Sequence, residues 1–121
     1  MPLILIVDDS PTELHVMKKA LERQGYRTAA AADGAEGVRL AREMHPDLIF
    51  MDVVMPGMNG YQATRTLVND PKTRTIPIIM VTSKGQETDR IWGLRQGAVD
   101  YMVKPVSPDQ LVAKAQATLA A

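Results

Sequence analysis

Residues 47–60 read DLIFMDVVMPGMNG, and this stretch decides the fold. Leu48-Ile49-Phe50-Met51 is a short continuous apolar run, the pattern of a strand covered on both faces. It ends on a carboxylate, Asp52, followed by Val53-Val54 and then Met-Pro-Gly. An isolated charge in apolar surroundings is costly. Asp52 therefore either caps a turn or belongs to a site.

Outward from this strand, short apolar runs alternate with helical patterns. LILIV, residues 3–7, reads as a buried strand. In SPTELHVMKKALERQG, Ser10 reads as an N-cap, Pro11 as a first-turn proline and Glu13 as the acid of a capping box. Leu14, Met17 and Leu21 recur at helical spacing, and Gly25 stops the pattern. Residues 26–32 form a weaker strand. Residues 34–45 form a helix expected to bury Val38, Ala41 and Met44. Residues 60–70 form a third helix, 76–83 a fourth strand, and 87–97 a fourth helix that Gly93 weakens. Residues 100–105 read as a fifth strand, and Ser107-Pro108-Asp109 opens a last helix. The order is βα five times, with no repeat and no internal linker. That order predicts an α/β fold: a parallel sheet with helices on both faces and right-handed crossovers.

Composition bounds the function. The 121 residues suit one domain, 1–121, and leave no room for a separate output domain. Fourteen basic and fourteen acidic residues cancel, which favours neither nucleic acid nor an anionic membrane as partner. No cysteine is present, so disulfides and thiolate metal sites are excluded. The apolar start is too short for a membrane span, and it lacks the basic region and cleavage site of a signal peptide. A cytoplasmic location is expected.

In open parallel sheets, ligands bind beyond the carboxyl ends of the strands. Strand one ends in Asp8-Asp9, strand three in Asp52, strand four in Thr82 and strand five in Lys104-Pro105. Each residue alone has an ordinary reading as a turn, cap, strand or surface residue. Together they place three acids, a hydroxyl and an ammonium at one rim. Clustered carboxylates repel unless a cation neutralises them. Hard oxygen ligands suit Mg²⁺, with Mn²⁺ as an alternative. Aspartate carboxylates are nucleophiles toward phosphorus, and a metal and a lysine beside one offset the phosphoryl charge.

ILIVDDS, DLIFMDVVMPGMNG, IPIIMVTS and DYMVKPV resemble the receiver domain of bacterial two-component response regulators, over essentially the whole chain. The resemblance implies a doubly wound, flavodoxin-like five-stranded sheet of order 2-1-3-4-5. It implies Asp52 as phospho-acceptor and Asp9 and Asp52 as metal ligands, with Asp8 acting through water and the backbone carbonyl of Val54 completing the set. Thr82 matches the switch hydroxyl, Tyr101 the switch aromatic and Lys104 the family's lysine; the Lys104–Pro105 bond is expected to be cis. Val54 and Lys84 hold the positions that tune the lifetime of the phosphorylated state. The implied partner is a sensor histidine kinase. The readout is a change in protein binding at the face of helix 4, strand 5 and helix 5, or else draining of phosphoryl groups from a shared kinase. A monomer is expected. GYQATRTL and ETDRIWGLRQGAVDYMVKPV further resemble the single-domain regulators of type IV pilus twitching motility, the PilH group.

Other classes fit less well. A phosphatase of the haloacid dehalogenase type needs a second acid two residues past its nucleophile, where this chain has Val54. A flavodoxin binds phosphate on the loop after strand one, which here is the acidic DDSPTE. A degenerate receiver would lack a site residue, and none is missing. Several residues have plain readings: Ser10 as a cap, His15 and His45 as surface positions, Met51 and Met80 as core. Met55 and Met58 flank the site loop and are expected to be exposed. Trp92 reads either as partial cover for its helix or as a partner surface.

Overall fold

The computed structural model describes residues 1–120. Five strands and five helices alternate: β1 (Leu3–Val7), α1 (Pro11–Glu22), β2 (Arg27–Ala31), α2 (Gly34–Met44), β3 (Leu48–Met51), α3 (Gly60–Val68), β4 (Ile78–Thr82), α4 (Glu87–Gln96), β5 (Asp100–Val103) and α5 (Pro108–Ala120). The strands form one parallel sheet in the order β2-β1-β3-β4-β5. The direction in which successive strands are added reverses between β1 and β3, so right-handed crossovers place helices on both faces.

The two-residue period of a strand sends alternate side chains to opposite layers. Ile4 and Ile6 of β1, Leu48 and Phe50 of β3, and Ile79 and Val81 of β4 pack with Met17, Leu21, Leu111 and Ala115 of α1 and α5. Leu5, Val7, Ile49, Met51 and Ile78 pack on the other side with Val38, Ala41, Ala63 and Leu67 of α2 and α3. Full burial of a large aliphatic or aromatic side chain contributes roughly 1.5–3 kcal/mol before the entropy of ordering is subtracted. These two layers are what hold the sheet. Among the described residues no helix is long and apolar enough to cross a membrane.

Three expectations change. Met44 is 43% exposed, because α2 ends there and His45 turns the chain into the left-handed region at φ 49°. Met55 is buried within the α2–α3 layer, while Met58 is half-buried and packs against that layer. Strand 4 begins at Ile78 rather than Ile76; Pro77 lacks the N–H a ladder needs, and its carbonyl accepts from Ile49 N at 3.0 Å. Helix 4 is intact across Gly93. A Cβ there would lie 2.7 Å from Met80 Sδ and 3.0 Å from the Tyr101 ring, so the glycine is where the helix closes on the sheet. The helix buries Gly93 and Gln96 and exposes Ile91, Trp92 and Leu94, which leaves its apolar side chains outside the core.

Candidate functional site

Parallel pairing of β1 and β3 sets the two key acids side by side. The ladder continues past the last paired residues: Asp52 N donates to Val7 O at 2.9 Å, and Asp8 N donates to Ala31 O at 3.0 Å. Both carboxylates are buried, with residue exposures of 2% for Asp8 and 5% for Asp52, whereas Asp9 is exposed. Each of the three acids offers an oxygen within 4.8 Å of the others. Octahedral ligands at about 2.1 Å from an ion lie at most about 4.2 Å apart across it, so a small contraction fits the three around one divalent cation. The donor set consists of hard anionic oxygens, one of them on an exposed residue that leaves room for water.

Lys104 reaches this cluster from the end of β5. Its Nζ lies 2.5 Å from Glu13 Oε2, 2.9 Å from Asp8 Oδ2 and 3.6 Å from Asp52 Oδ2. Burial alone would lower the ammonium's pKa, but hydrogen bonds to Glu13 and Asp8 and the charges of Asp52 and Asp8 raise it above the usual lysine value. Asp52 is raised above the usual carboxylate value. Desolvation is the main cause, and the Asp8 charge adds to it; Lys104, the Val53 N–H and Thr82 oppose it. The Val53 N–H donates to Asp52 Oδ1 at 2.8 Å, which fixes the rotation of the carboxylate. Asp52 is thus a buried carboxylate with Oδ1 held by the Val53 N–H and Oδ2 facing Lys104.

Thr82 is fully buried at the end of β4, and its hydroxyl accepts from Lys84 N at 3.4 Å. Tyr101 of β5 is buried, and its hydroxyl donates to Lys84 O at 2.7 Å. The ring is therefore turned inward and covered with Asp52 unmodified. Its pKa is pushed far up by burial and by the neighbouring Tyr61. Lys84 turns to Asp89 of α4, with Nζ to Oδ1 at 3.8 Å. Val54 is 56% exposed, two residues past Asp52. The Lys104–Pro105 peptide is cis. His15 and His45 are exposed, and both residues are outside the acid cluster.

Two residues escaped the sequence reading. Glu13 caps nothing with its side chain: Ser10 N donates instead to Asp8 Oδ1 at 2.9 Å, and the Glu13 carboxylate goes to Lys104. Its spacing carried a signal, since it stands four residues past Asp9, one turn up the helix that leaves the rim. Tyr61 packs against the cluster of Val53, Met80, Ala98 and Tyr101 and donates to Asp89 O at 3.1 Å, joining α3 to α4. Its partners Met80, Asp89 and Tyr101 are distant in sequence, so no local pattern marks it.

Known proteins share this arrangement. Residues 4–116 match the family model described as the response regulator receiver domain. The protein PilH of Pseudomonas aeruginosa is 52% identical over 120 residues, covering 99% of both chains. The chain also spans about half the length of DNA-binding response regulators such as MtrA of Mycolicibacterium smegmatis, at 40% identity over 116 residues. Among solved structures, the chemotaxis protein CheY4 of Vibrio cholerae superposes with a TM-score of 0.92 at 30% identity, over 98% of each chain. The receiver domain of a Pseudomonas aeruginosa sensor histidine kinase, crystallised with a magnesium ion in its active site cleft, superposes with a TM-score of 0.92 at 34% identity, over 99% of this chain and 98% of that one. With a matching family model across nearly its whole length, a near full-length relative at 52% identity and acids, hydroxyl and lysine at one rim of the sheet, this chain belongs to the response regulator receiver domain family.

Proposed function

We propose that the chain is a phosphorylation switch that accepts a phosphoryl group on Asp52 from the phosphohistidine of a sensor histidine kinase. The observation that carries this reading is the placement of Asp52: a buried carboxylate at a strand end, 3.6 Å from Lys104 Nζ and clustered with Asp8 and Asp9. The free oxygen of Asp52 attacks phosphorus as the phosphorus–nitrogen bond of the donor breaks, and the imidazole leaves. Asp9 and Asp52, Asp8 through water and the Val54 carbonyl would hold Mg²⁺ or Mn²⁺. When bound, the ion offsets charge on the transferring group. Lys104 supplies a second positive charge, and the Thr82 hydroxyl supplies a donor for a phosphoryl oxygen.

Charge on Asp52 then biases two conformations of the β4–α4 loop. Tyr101 is already inward, so the step left for phosphorylation is to draw Thr82 toward the new oxygens. The hydrogen bond from Tyr101 to Lys84 O ties that movement to α4. The readout is protein binding at the face of α4, β5 and α5, where Ile91, Leu94 and Val103 are exposed. The 52% identity to PilH, together with the sequence resemblance to the twitching-motility regulators, supports a role in signalling of that type. Intact-mass measurement after acetyl phosphate and Mg²⁺ tests the acceptor. One added phosphoryl group in the parent and none in Asp52→Ala is the expected result; undiminished labelling of the variant overturns it.

A further inference from the structure

We propose that Glu13 is a positioning residue that parks the Lys104 ammonium on the α1 side of the site and holds it off Asp52 until a phosphoryl group arrives. This rests on Asp52 as phospho-acceptor. Three carboxylates compete for one ammonium. Glu13 at 2.5 Å and Asp8 at 2.9 Å are within hydrogen-bond distance, and Asp52 at 3.6 Å is not. The carboxylate with the greatest need of a cation is therefore the one Lys104 does not bond.

The local structure explains why Glu13 is free for this. In a capping box its side chain would return to the Ser10 N–H. Asp8 Oδ1 already holds that N–H at 2.9 Å, while the other oxygen, Oδ2, shares Lys104 with Glu13. Asp8 thus takes the Ser10 N–H in place of a box acid, and the Glu13 carboxylate extends from the first turn of α1 over the rim. Its backbone still serves the helix, since Glu13 N donates to Ser10 Oγ at 3.3 Å. The Glu13 side chain is 44% exposed and that of Lys104 15%, so the grip comes from the wet side and is breakable. A phosphoryl group on Asp52 outbids one half-exposed carboxylate, and Lys104 swings to it. Without Glu13, the ammonium keeps only its bond to Asp8 and can approach Asp52 beforehand.

The test separates grip from charge. Glu13→Gln removes the charge; Glu13→Asp keeps it on a shorter side chain that falls short of Lys104. Initial rates of Asp52 phosphorylation by acetyl phosphate with Mg²⁺, followed by intact mass, are expected to rise about two- to fivefold in both variants, the range for loss of a partly exposed ion pair. A gain in Glu13→Gln alone overturns the proposal, because charge repulsion of the donor then explains it; no gain in either overturns it as well. A second measurement needs neither metal nor phosphate. In ¹⁵N-lysine spectra of the metal-free protein, the Lys104 ammonium protons should exchange faster in both variants than in the parent, where Glu13 adds to the bond from Asp8; unchanged exchange refutes the grip. A parent that takes up no phosphoryl group would instead refute the acceptor reading, and the ammonium spectra would still decide whether Glu13 holds Lys104.

Discussion

Asp52 concentrates the conflict between folding and function in one side chain. Desolvation raises its pKa despite Lys104, so the ionised form is held at a cost to the native state. A carboxyl whose folded pKa lies above its unfolded value lends its full stability below the unfolded value and loses it as pH rises through the folded one. At neutral pH the charge therefore destabilises. Asp52→Asn keeps the acceptor for the Val53 N–H and removes the charge. In metal-free buffer at pH 7 its urea midpoint should exceed the parent's, and the gap should narrow as pH falls toward the ordinary aspartate value of 3.8. A variant less stable than the parent at pH 7 would show that Lys104 more than compensates the burial. Val54 sets a second expectation. On the proposed reading its exposed position, two residues past Asp52, borders the path of the hydrolytic water, and valine has no group to orient one. If orientation is worth ~1.4 kcal/mol, Val54→Asn speeds decay of the acyl phosphate about tenfold. Unaltered decay would remove water access there as the control. Lys84→Glu is the poorer probe, because Lys84 pairs with Asp89 and an acid there would repel it.

At the scale of elements, glycines mark where backbone must approach backbone. A Cβ on Gly60 would lie 2.0 Å from the carbonyl oxygen of Asp52, and Gly60 N donates to Val53 O at 2.9 Å. The start of α3 is thus packed onto Asp52, the proposed acceptor. Gly60→Ala has only backbone to push against. It should cost at least the ~1–3 kcal/mol of an overpacked core and displace Asp52. Gly93→Ala differs, since its obstacles are the Met80 and Tyr101 side chains. Overpacking there is partly offset by roughly 1 kcal/mol of better helix propensity. Urea titration of the pair should show the Gly60 variant losing clearly more; equal losses would mean that α3 can slide away from β3. These sites also show what periodicity leaves unread. The sequence pattern shows the order of strands and helices, and most plainly the central strands β1, β3 and β4, because burial on both sheet faces writes itself into their apolar runs. Gly93 reads as a weakness in α4 from propensity, yet its value lies in Met80 and Tyr101, which are distant in sequence. Glu13 reads as a cap for the same reason: Ser10 and Pro11 are adjacent, whereas Lys104 is 91 residues away. Met55 looked exposed because it flanks the site loop after Asp52, and only its packing with α2 and α3 shows it covered.

For the whole molecule, the rim was legible because topology aligns strand ends. Once five parallel strands are recognised, Asp8, Asp9, Asp52, Thr82 and Lys104 must converge at one edge. What topology leaves open is the order of contacts, and therefore which acid Lys104 favours and that Tyr101 is already inward. The same convergence couples the site to global stability. The acids come from the ends of β1 and β3, so a cation bridging them binds the folded chain and not the unfolded one. Binding of that kind stabilises by RT ln(1 + [L]/Kd), about 1.4 kcal/mol at ten times Kd. For 121 residues that corresponds to about 5 °C in the melting temperature. Mg²⁺ should therefore raise the parent's melting temperature by this order at saturating concentration. Asp9→Ala, which removes the exposed ligand and leaves the buried pair, should show little or no rise. Asp52→Asn should start higher than the parent without metal and gain less with it, so that the two titrations approach each other and can cross. Scanning calorimetry against Mg²⁺ concentration, at fixed ionic strength to remove general screening, checks all three proteins. An equal rise in the parent and Asp9→Ala would locate the cation elsewhere and detach the metal from the carboxylates at the rim.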